Sequence, residues 1–305
     1  MGHIEIDAGE GLRPVPLTLP GGGLNLAADR WGESHDPAVL FLHGGGQTRR
    51  SWDEAARAVS GRGWQALTVD HRGHGESDWP VEALYGWDHF ADDIAALVAG
   101  FESPPVVVGA SLGGIAALLA QRRTEDQLFA ALVLVDVTPT MDPEGVRRIV
   151  GFMGAHPEGF ASLEEASEVI SEYTGRPRPD STDGLRQVLR HENGRWRWHW
   201  DVRFLQGRER PTGEREETLR HLMLEGAARV RVPTLVIRGT RSELVSPEAV
   251  REFLDAVPGA RYVDVQDAAH MVAGDQNDRF IEAVTDFLDE LEPGRQRGPD
   301  ANGER

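Results

Sequence analysis

At 305 residues the chain is long enough to bury a sizeable core, and its length fits one large α/β domain with an insertion. Its formal charge of −18, with no basic cluster, points away from nucleic acid and anionic membrane surfaces and toward small molecules as partners. The lack of cysteine removes disulfides and thiolate metal ligands, and since every basic residue is arginine there is no lysine for a Schiff base or a phosphate loop.

The opening stretch MGHIEIDAGEGL lacks the basic start and apolar run of a secretion signal. No apolar run reaches the roughly 18 residues of a membrane span, so a soluble cytoplasmic protein is the expectation. PVPLTLP and LNLAADRWG flank three glycines and predict a β-hairpin. AVLFLHG predicts a strand, and RSWDEAARAVSGRG a helix ending on glycine. The alternation repeats through strand WQALTVD, amphipathic helix WDHFADDIAALVAGF, strand PVVVGAS, helix LGGIAALLAQRR and strand FAALVLVDV. It resumes late with strands PTLVIRG and RYVDVQD and a closing helix QNDRFIEAVTDFLDEL. Strands alternating with helices imply βαβ units, hence an α/β fold with a mostly parallel, doubly wound sheet covered on both faces.

Between about Thr138 and Arg231 this rhythm breaks. DPEGVRRIVGFMGAH and SLEEASEVISEY are helical in pattern, followed by a Pro-rich joint, GRPRPD, and an aromatic patch, RWRWHWDVRF. The reading is an inserted helical cap over 138–231, between a first core part, 1–137, and a second, 232–292, with a disordered polar tail over 293–305. In open parallel sheets ligands bind beyond the carboxyl ends of the strands, where such a cap would roof a pocket.

Three strand ends carry candidate chemistry. Ser111, in PVVVGASLGG, lies where a buried strand meets a helix. Glycines two positions before and after it remove side chains that would collide in so sharp a reversal, so G-x-S-x-G suits a strained turn presenting one nucleophilic hydroxyl. After AVLFLHG, the run Gly44, Gly45, Gly46 leaves backbone N–H groups to face a developing oxyanion, and the expected pair is Gly45 with Leu112, the residue after the nucleophile. His270, in VDVQDAAHMVAGD, falls past the last strand and before the final helix, where the base of such a site belongs; this chain order singles it out among 11 histidines. His71 and His74, in DHRGHGES, fit a polar network with Asp70 and Arg72.

GASLGG around Ser111, HGGGQ, DHRGHGES and AAHMVAGD around His270 resemble, in order and spacing, the α/β-hydrolase superfamily, over roughly Val15 to Leu291. The resemblance implies the α/β-hydrolase fold and a serine nucleophile. Where epoxide hydrolases and haloalkane dehalogenases of that superfamily carry an aspartate nucleophile, this chain has Ser111, which argues for acyl transfer. The resemblance also frames the choice of triad acid. Many members carry it in a G-x-x-D turn after the strand that follows the cap, but RGTRSELVS puts Ser242 there, with Glu243 one residue late. The other known location, the end of the strand after the elbow helix, offers Asp136 in LVLVDVTP. Side chains alternate direction near a strand end, so Asp136 is preferred and Glu243 is the alternative.

The expected reaction is hydrolysis of a small hydrophobic ester or lactone, aromatic groups included, through an acyl-enzyme, with neither cofactor nor metal. Trp196, Trp198 and Trp200 alternate with charged or polar residues; they either pack the cap onto the core or line an apolar site with Phe152, Met153 and Phe204. Gly44, Trp52 and Met271 are expected near the reacting carbonyl. Carbon–carbon bond hydrolysis, thioester hydrolysis and cofactor-free perhydrolysis of the haloperoxidase type stay open on the same residues. So do a non-catalytic small-molecule binding protein of this fold and a homodimer.

Overall fold

The structure is a computed structural model that describes residues 13–175, 177–206, 213–266, 268 and 277–291. The chain opens with β1 (Val15–Pro20) and β2 (Asn25–Trp31), an antiparallel hairpin turning through Gly21 to Leu24. Strands β3 (Ala38–Leu42), β4 (Gln65–Val69), β5 (Val106–Ala110) and β6 (Ala131–Val135) then alternate with helices α1 (Asp53–Ser60), α2 (Trp87–Val98) and α3 (Leu112–Gln121). Every residue of β4 and β6 is buried, as strands covered on both faces require, and this is why β6, Ala131–Val135, reads as an unbroken apolar run rather than an alternating one.

An inserted segment follows β6. Helix α4 (Pro143–Gly154) starts on Asp142, whose carboxylate accepts from the Glu144 and Gly145 N–H groups at 2.8 and 3.0 Å. Helix α5 (Leu163–Thr174) starts on Ser162 and ends at Gly175, in the left-handed region at φ 67°. The aromatic patch, expected inside a largely helical cap, instead contributes the second strand of an antiparallel hairpin, β7 (Leu189–Glu192) and β8 (Arg195–Trp198). Asn193 and Gly194 make its turn with φ of 52° and 78°, the conformation that Asn-Gly adopts in two-residue hairpins. Helix α6 (Gly213–Ala227) packs on α3, with Gly226 seated on the Leu118 carbonyl, so the insertion ends as part of the core layer.

The core closes with β9 (Thr234–Gly239), α7 (Pro247–Ala256), β10 (Arg261–Val265) and α8 (Asn277–Leu291). The eight core strands form one sheet in the order β1-β2-β4-β3-β5-β6-β9-β10, and every pairing from β4 to β10 is parallel. One face packs against α1 and α8 through Phe41, Trp52, Val133, Phe280 and Phe287. The other packs α2, α3, α6 and α7, and its apolar layer runs on without a break into Phe160, Trp198, Trp200 and Phe204 of the insertion. The carboxyl ends of β3, β4, β5, β6 and β9 thus share one edge, with the insertion lying against it. Among the described residues no helix is long and apolar enough to cross a membrane. His270, Met271 and the tail over 293–305 lie outside the described residues.

Candidate active site

Ser111 stands between the end of β5 and the start of α3 with φ 43° and ψ −109°, a conformation costing about 1–3 kcal/mol for a residue with a side chain. The surroundings hold it there. Its N–H donates to the Val135 carbonyl at 3.1 Å, and its own carbonyl accepts from Ile115 N–H at 2.9 Å. The flanking glycines explain themselves as close approaches: a Cβ on Gly109 would stand 2.6 Å from Gly114 N, and one on Gly113 would stand 2.5 Å from the Leu42 carbonyl oxygen. Ser111 thus stands at the amino end of α3 as its N-cap residue, where the first N–H groups have no intrahelical acceptor.

The glycine turn after β3 runs alongside this elbow: a Cβ on Gly44 would lie 3.5 Å from Ser111 Cβ. Its N–H groups are not equivalent. Gly44 N–H donates to Gln47 Oε1 at 2.9 Å and Gly46 N–H to His74 Nε2 at 3.2 Å. Among the described residues neither Gly45 N–H nor Leu112 N–H has a protein acceptor. These are the two N–H groups that the sequence pattern expects to face an oxyanion.

A cluster of buried histidines, unrecognised as such in the sequence, shapes this turn. His43 Nε2 accepts from His71 N–H at 3.1 Å, so its proton sits on Nδ1 and is donated to the Gly44 carbonyl at 2.8 Å. His74 Nε2 accepts from Gly46, which leaves its Nδ1–H for the Arg72 carbonyl at 3.0 Å. Burial drives the His43 pKa down to about 4, and His71 also falls well below the ordinary histidine value, burial being the main cause. Of the expected network of His71 and His74 with Asp70 and Arg72, the His74 bond to the Arg72 carbonyl is present, while the Asp70 and Arg72 side chains are engaged in separate ion pairs. The Asp70 carboxylate takes the guanidinium and the N–H of Arg49, while Arg72 makes a two-pronged pair with Asp93 at 2.6 and 2.7 Å. The signal available in sequence was His43 itself, immediately before three glycines.

The two candidate acids have opposite surroundings. Asp136 is fully buried at the end of β6 with φ 50°, and its N–H is tied to the Ile237 carbonyl at 2.7 Å. Ser242 Oγ accepts the N–H groups of Leu244 and Val245, both at 3.1 Å, and so gives its own proton to Asp136 Oδ2 at 2.8 Å. Glu243 is turned the other way; its side chain is 44% exposed and pairs with Arg148 of α4 at 2.5 Å.

Of the expected pocket residues, Met153 and Phe204 lie against the glycine turn, 3.9 and 3.5 Å from the position a Gly45 Cβ would take. Trp200 reaches the same turn, and its ring stacks on Trp198 at 6.5 Å. Phe152 stacks on Tyr173 at 3.8 Å and meets Trp198 edge-on at 5.9 Å, one layer further out. Trp52 is not beside the reacting position: it packs between Phe41 and Phe280 on the opposite face of the sheet. The physical reason is the short helical turn Arg49–Trp52, which carries the chain over the sheet edge and spends Trp52 on seating α1. Trp196 is packed by His191 and the Arg186 guanidinium, away from the turn.

The insertion is fastened to the core at this point. Gly75 N–H donates to the His199 carbonyl and Asp201 N–H to the Gly73 carbonyl, both at 2.7 Å, so residues 199–201 run as an added strand along the 73–75 turn. Tyr85 Oη–H donates to Asp201 Oδ2 at 2.7 Å, and Arg203 grips the same carboxylate at 2.6 Å.

Comparison with known proteins agrees with this architecture. The pattern of the Alpha/beta hydrolase family matches residues 39–283. An esterase of Mycobacterium tuberculosis is 30% identical over 276 residues, covering 87% of this chain and 86% of that one. An sn-1-specific diacylglycerol lipase of Mus musculus is 29% identical over 304 residues, covering 91% and 86%. The crystal structure of E-2-(acetamidomethylene)succinate hydrolase superposes with a TM-score of 0.77 at 24% identity, over 91% of this chain and all of that one. Relatives of this chain are hydrolases, and by sequence match and fold the chain belongs to the α/β hydrolase family.

Proposed function

We propose that the protein is a serine hydrolase that cleaves a carboxylic ester or lactone of a small hydrophobic substrate, aromatic groups included, through an acyl-enzyme. The observation that carries this reading is the Ser111 hydroxyl on a positive-φ elbow beside two backbone N–H groups, of Gly45 and Leu112, that have no protein acceptor among the described residues. His270 takes the serine proton as Ser111 Oγ bonds to the substrate carbonyl carbon. The carbonyl oxygen becomes an oxyanion held by the two N–H groups. As the carbon–oxygen bond to the leaving alcohol breaks, His270 returns the proton to it; water then repeats the sequence and releases the acid.

Asp136 is the acid that orients His270 in this scheme. Its burial and the Ser242 hydroxyl fixed on one oxygen favour it, whereas Glu243 is already committed to Arg148 at the surface. Met153, Phe204 and the Trp198–Trp200 pair supply the apolar wall, and the esterase and lipase among the relatives support an ester as substrate. The test is hydrolysis of p-nitrophenyl and aryl esters of graded chain length, with lactones, by wild type, Ser111→Ala, Asp136→Asn and Glu243→Gln. Turnover lost with Ser111→Ala and Asp136→Asn but kept with Glu243→Gln is the expected result. Turnover that survives Ser111→Ala refutes the mechanism.

A further inference from the structure

Trp200 is only 2% exposed, and among the described residues its indole N–H makes no hydrogen bond to protein. The indole nitrogens of Trp31, Trp52 and Trp198 are also without acceptors, but those are sealed inside packed surroundings. That of Trp200 faces the catalytic turn: a Cβ on Gly46 would stand 3.7 Å from Nε1. The donor is also rigid. The main chain on both sides of Trp200 is bonded to the 73–75 turn, whose His74 holds Gly46 N–H in place. The ring itself lies over His74 at 6.4 Å and 26°, and edge-on to Phe204 at 6.4 Å. One set of bonds therefore positions both the oxyanion turn and an unclaimed N–H beside it.

We propose that Trp200 Nε1–H is a specificity-determining donor that accepts, as substrate, an ester bearing a second acceptor oxygen a short distance from the reacting carbonyl. A hydroxyl, oxo or alkoxy oxygen on the acyl chain or on the alcohol meets the requirement. The inference rests on the serine-hydrolase reading and narrows its substrate class. A plain alkyl ester that covers this donor leaves it unpaired, whereas an oxygenated one satisfies it. A site that hydrogen-bonds a substrate oxygen discriminates more sharply than an apolar pocket does between chains differing by a methylene.

The experiment compares kcat/KM for matched pairs: p-nitrophenyl β-hydroxybutyrate against p-nitrophenyl butyrate for the acyl side, and hydroxyethyl butyrate against propyl butyrate for the alcohol side. Each is measured with wild type and Trp200→Phe, which keeps an aromatic ring and removes the donor. The expected result is a preference for the oxygenated member of one pair, falling about tenfold in Trp200→Phe as one neutral hydrogen bond is lost. Which pair responds identifies the side that carries the oxygen. Equal losses for both members of both pairs would mean the indole only fills space, and would overturn the proposal. A second readout is independent of turnover: in Ser111→Ala, the indole N–H resonance assigned by its loss in Trp200→Phe shifts with the oxygenated ester and not with its plain partner. No shift overturns the proposal while leaving the serine mechanism standing. A shift without wild-type turnover of any ester upholds the donor role and refutes the serine mechanism.

Discussion

Protonating His43 is the sharpest physical test of the buried histidine cluster. In the native state its pKa is lowered from 6.5 to about 4, chiefly by burial, with the Arg49 charge adding to the effect and the bond to the Gly44 carbonyl opposing it. The unfolded chain binds a proton at this residue near the ordinary value. Between the two values the unfolded state carries more protons, so stability is fully present above the unfolded value and is lost as pH falls toward about 4. Integrating the linkage relation gives a loss of about 2 kcal/mol on going from about pH 7.5 to about pH 5, and about 3 kcal/mol at the acid limit. His71 pulls in the same direction, so the single-residue share must be isolated by difference. Urea unfolding of wild type and His43→Gln at both pH values does this. The glutamine is less stable throughout, but its stability should fall by about 2 kcal/mol less across the interval. Parallel pH profiles for the two proteins, or an imidazole titration of His43 with a midpoint near 6.5, would refute the reasoning.

Gly113→Ala should destabilise by about 1–3 kcal/mol or more, because its Cβ would meet the Leu42 carbonyl oxygen at 2.5 Å, and a urea midpoint equal to wild type would contradict that packing. Ser242→Ala removes the donor to Asp136 and strands the N–H groups of Leu244 and Val245. Stability should drop by about 1–3 kcal/mol and kcat should fall more than KM rises; unchanged kcat would dissociate this hydroxyl from the proposed triad. Tyr85→Phe should cost about 1 kcal/mol and loosen the junction between the 73–75 turn and the insertion, read as faster hydrogen exchange at Gly75 and Asp201; exchange rates equal to wild type would show that the Asp201–Arg203 pair suffices.

What could be read from the sequence follows from what local patterns encode. The alternation of apolar strands with amphipathic helices, and the crossovers it demands, predicts a doubly wound sheet because each pattern is set by which faces its own residues must bury. The helix Pro247–Ala256 carries its start signal in Ser246 before Pro247, and Ser246 Oγ caps it, accepting Ala249 N–H at 3.1 Å. The hairpin of β7 and β8 interrupts a largely helical pattern, and its local marks are Asn193-Gly194, the strongest short-range hairpin signal, and the Trp-x-Trp-x-Trp repeat with a strand's period.

Other features were settled only by residues far apart in the chain. Nothing near Trp52 says which face of the sheet it will meet; that depends on Phe41 and Phe280, the latter 228 positions away. The different fates of three consecutive glycine N–H groups depend on His74 arriving at Gly46, and the surroundings of Asp136 depend on a hydroxyl from beyond the insertion. The order of residues by itself determined the α/β architecture and the strand ends where chemistry gathers, because periodicity and glycine spacing act over a few residues. Which N–H groups stay unclaimed, which carboxylate is buried and where each indole points were decided by tertiary structure. Those are outcomes of competition among partners that only folding brings within hydrogen-bond reach.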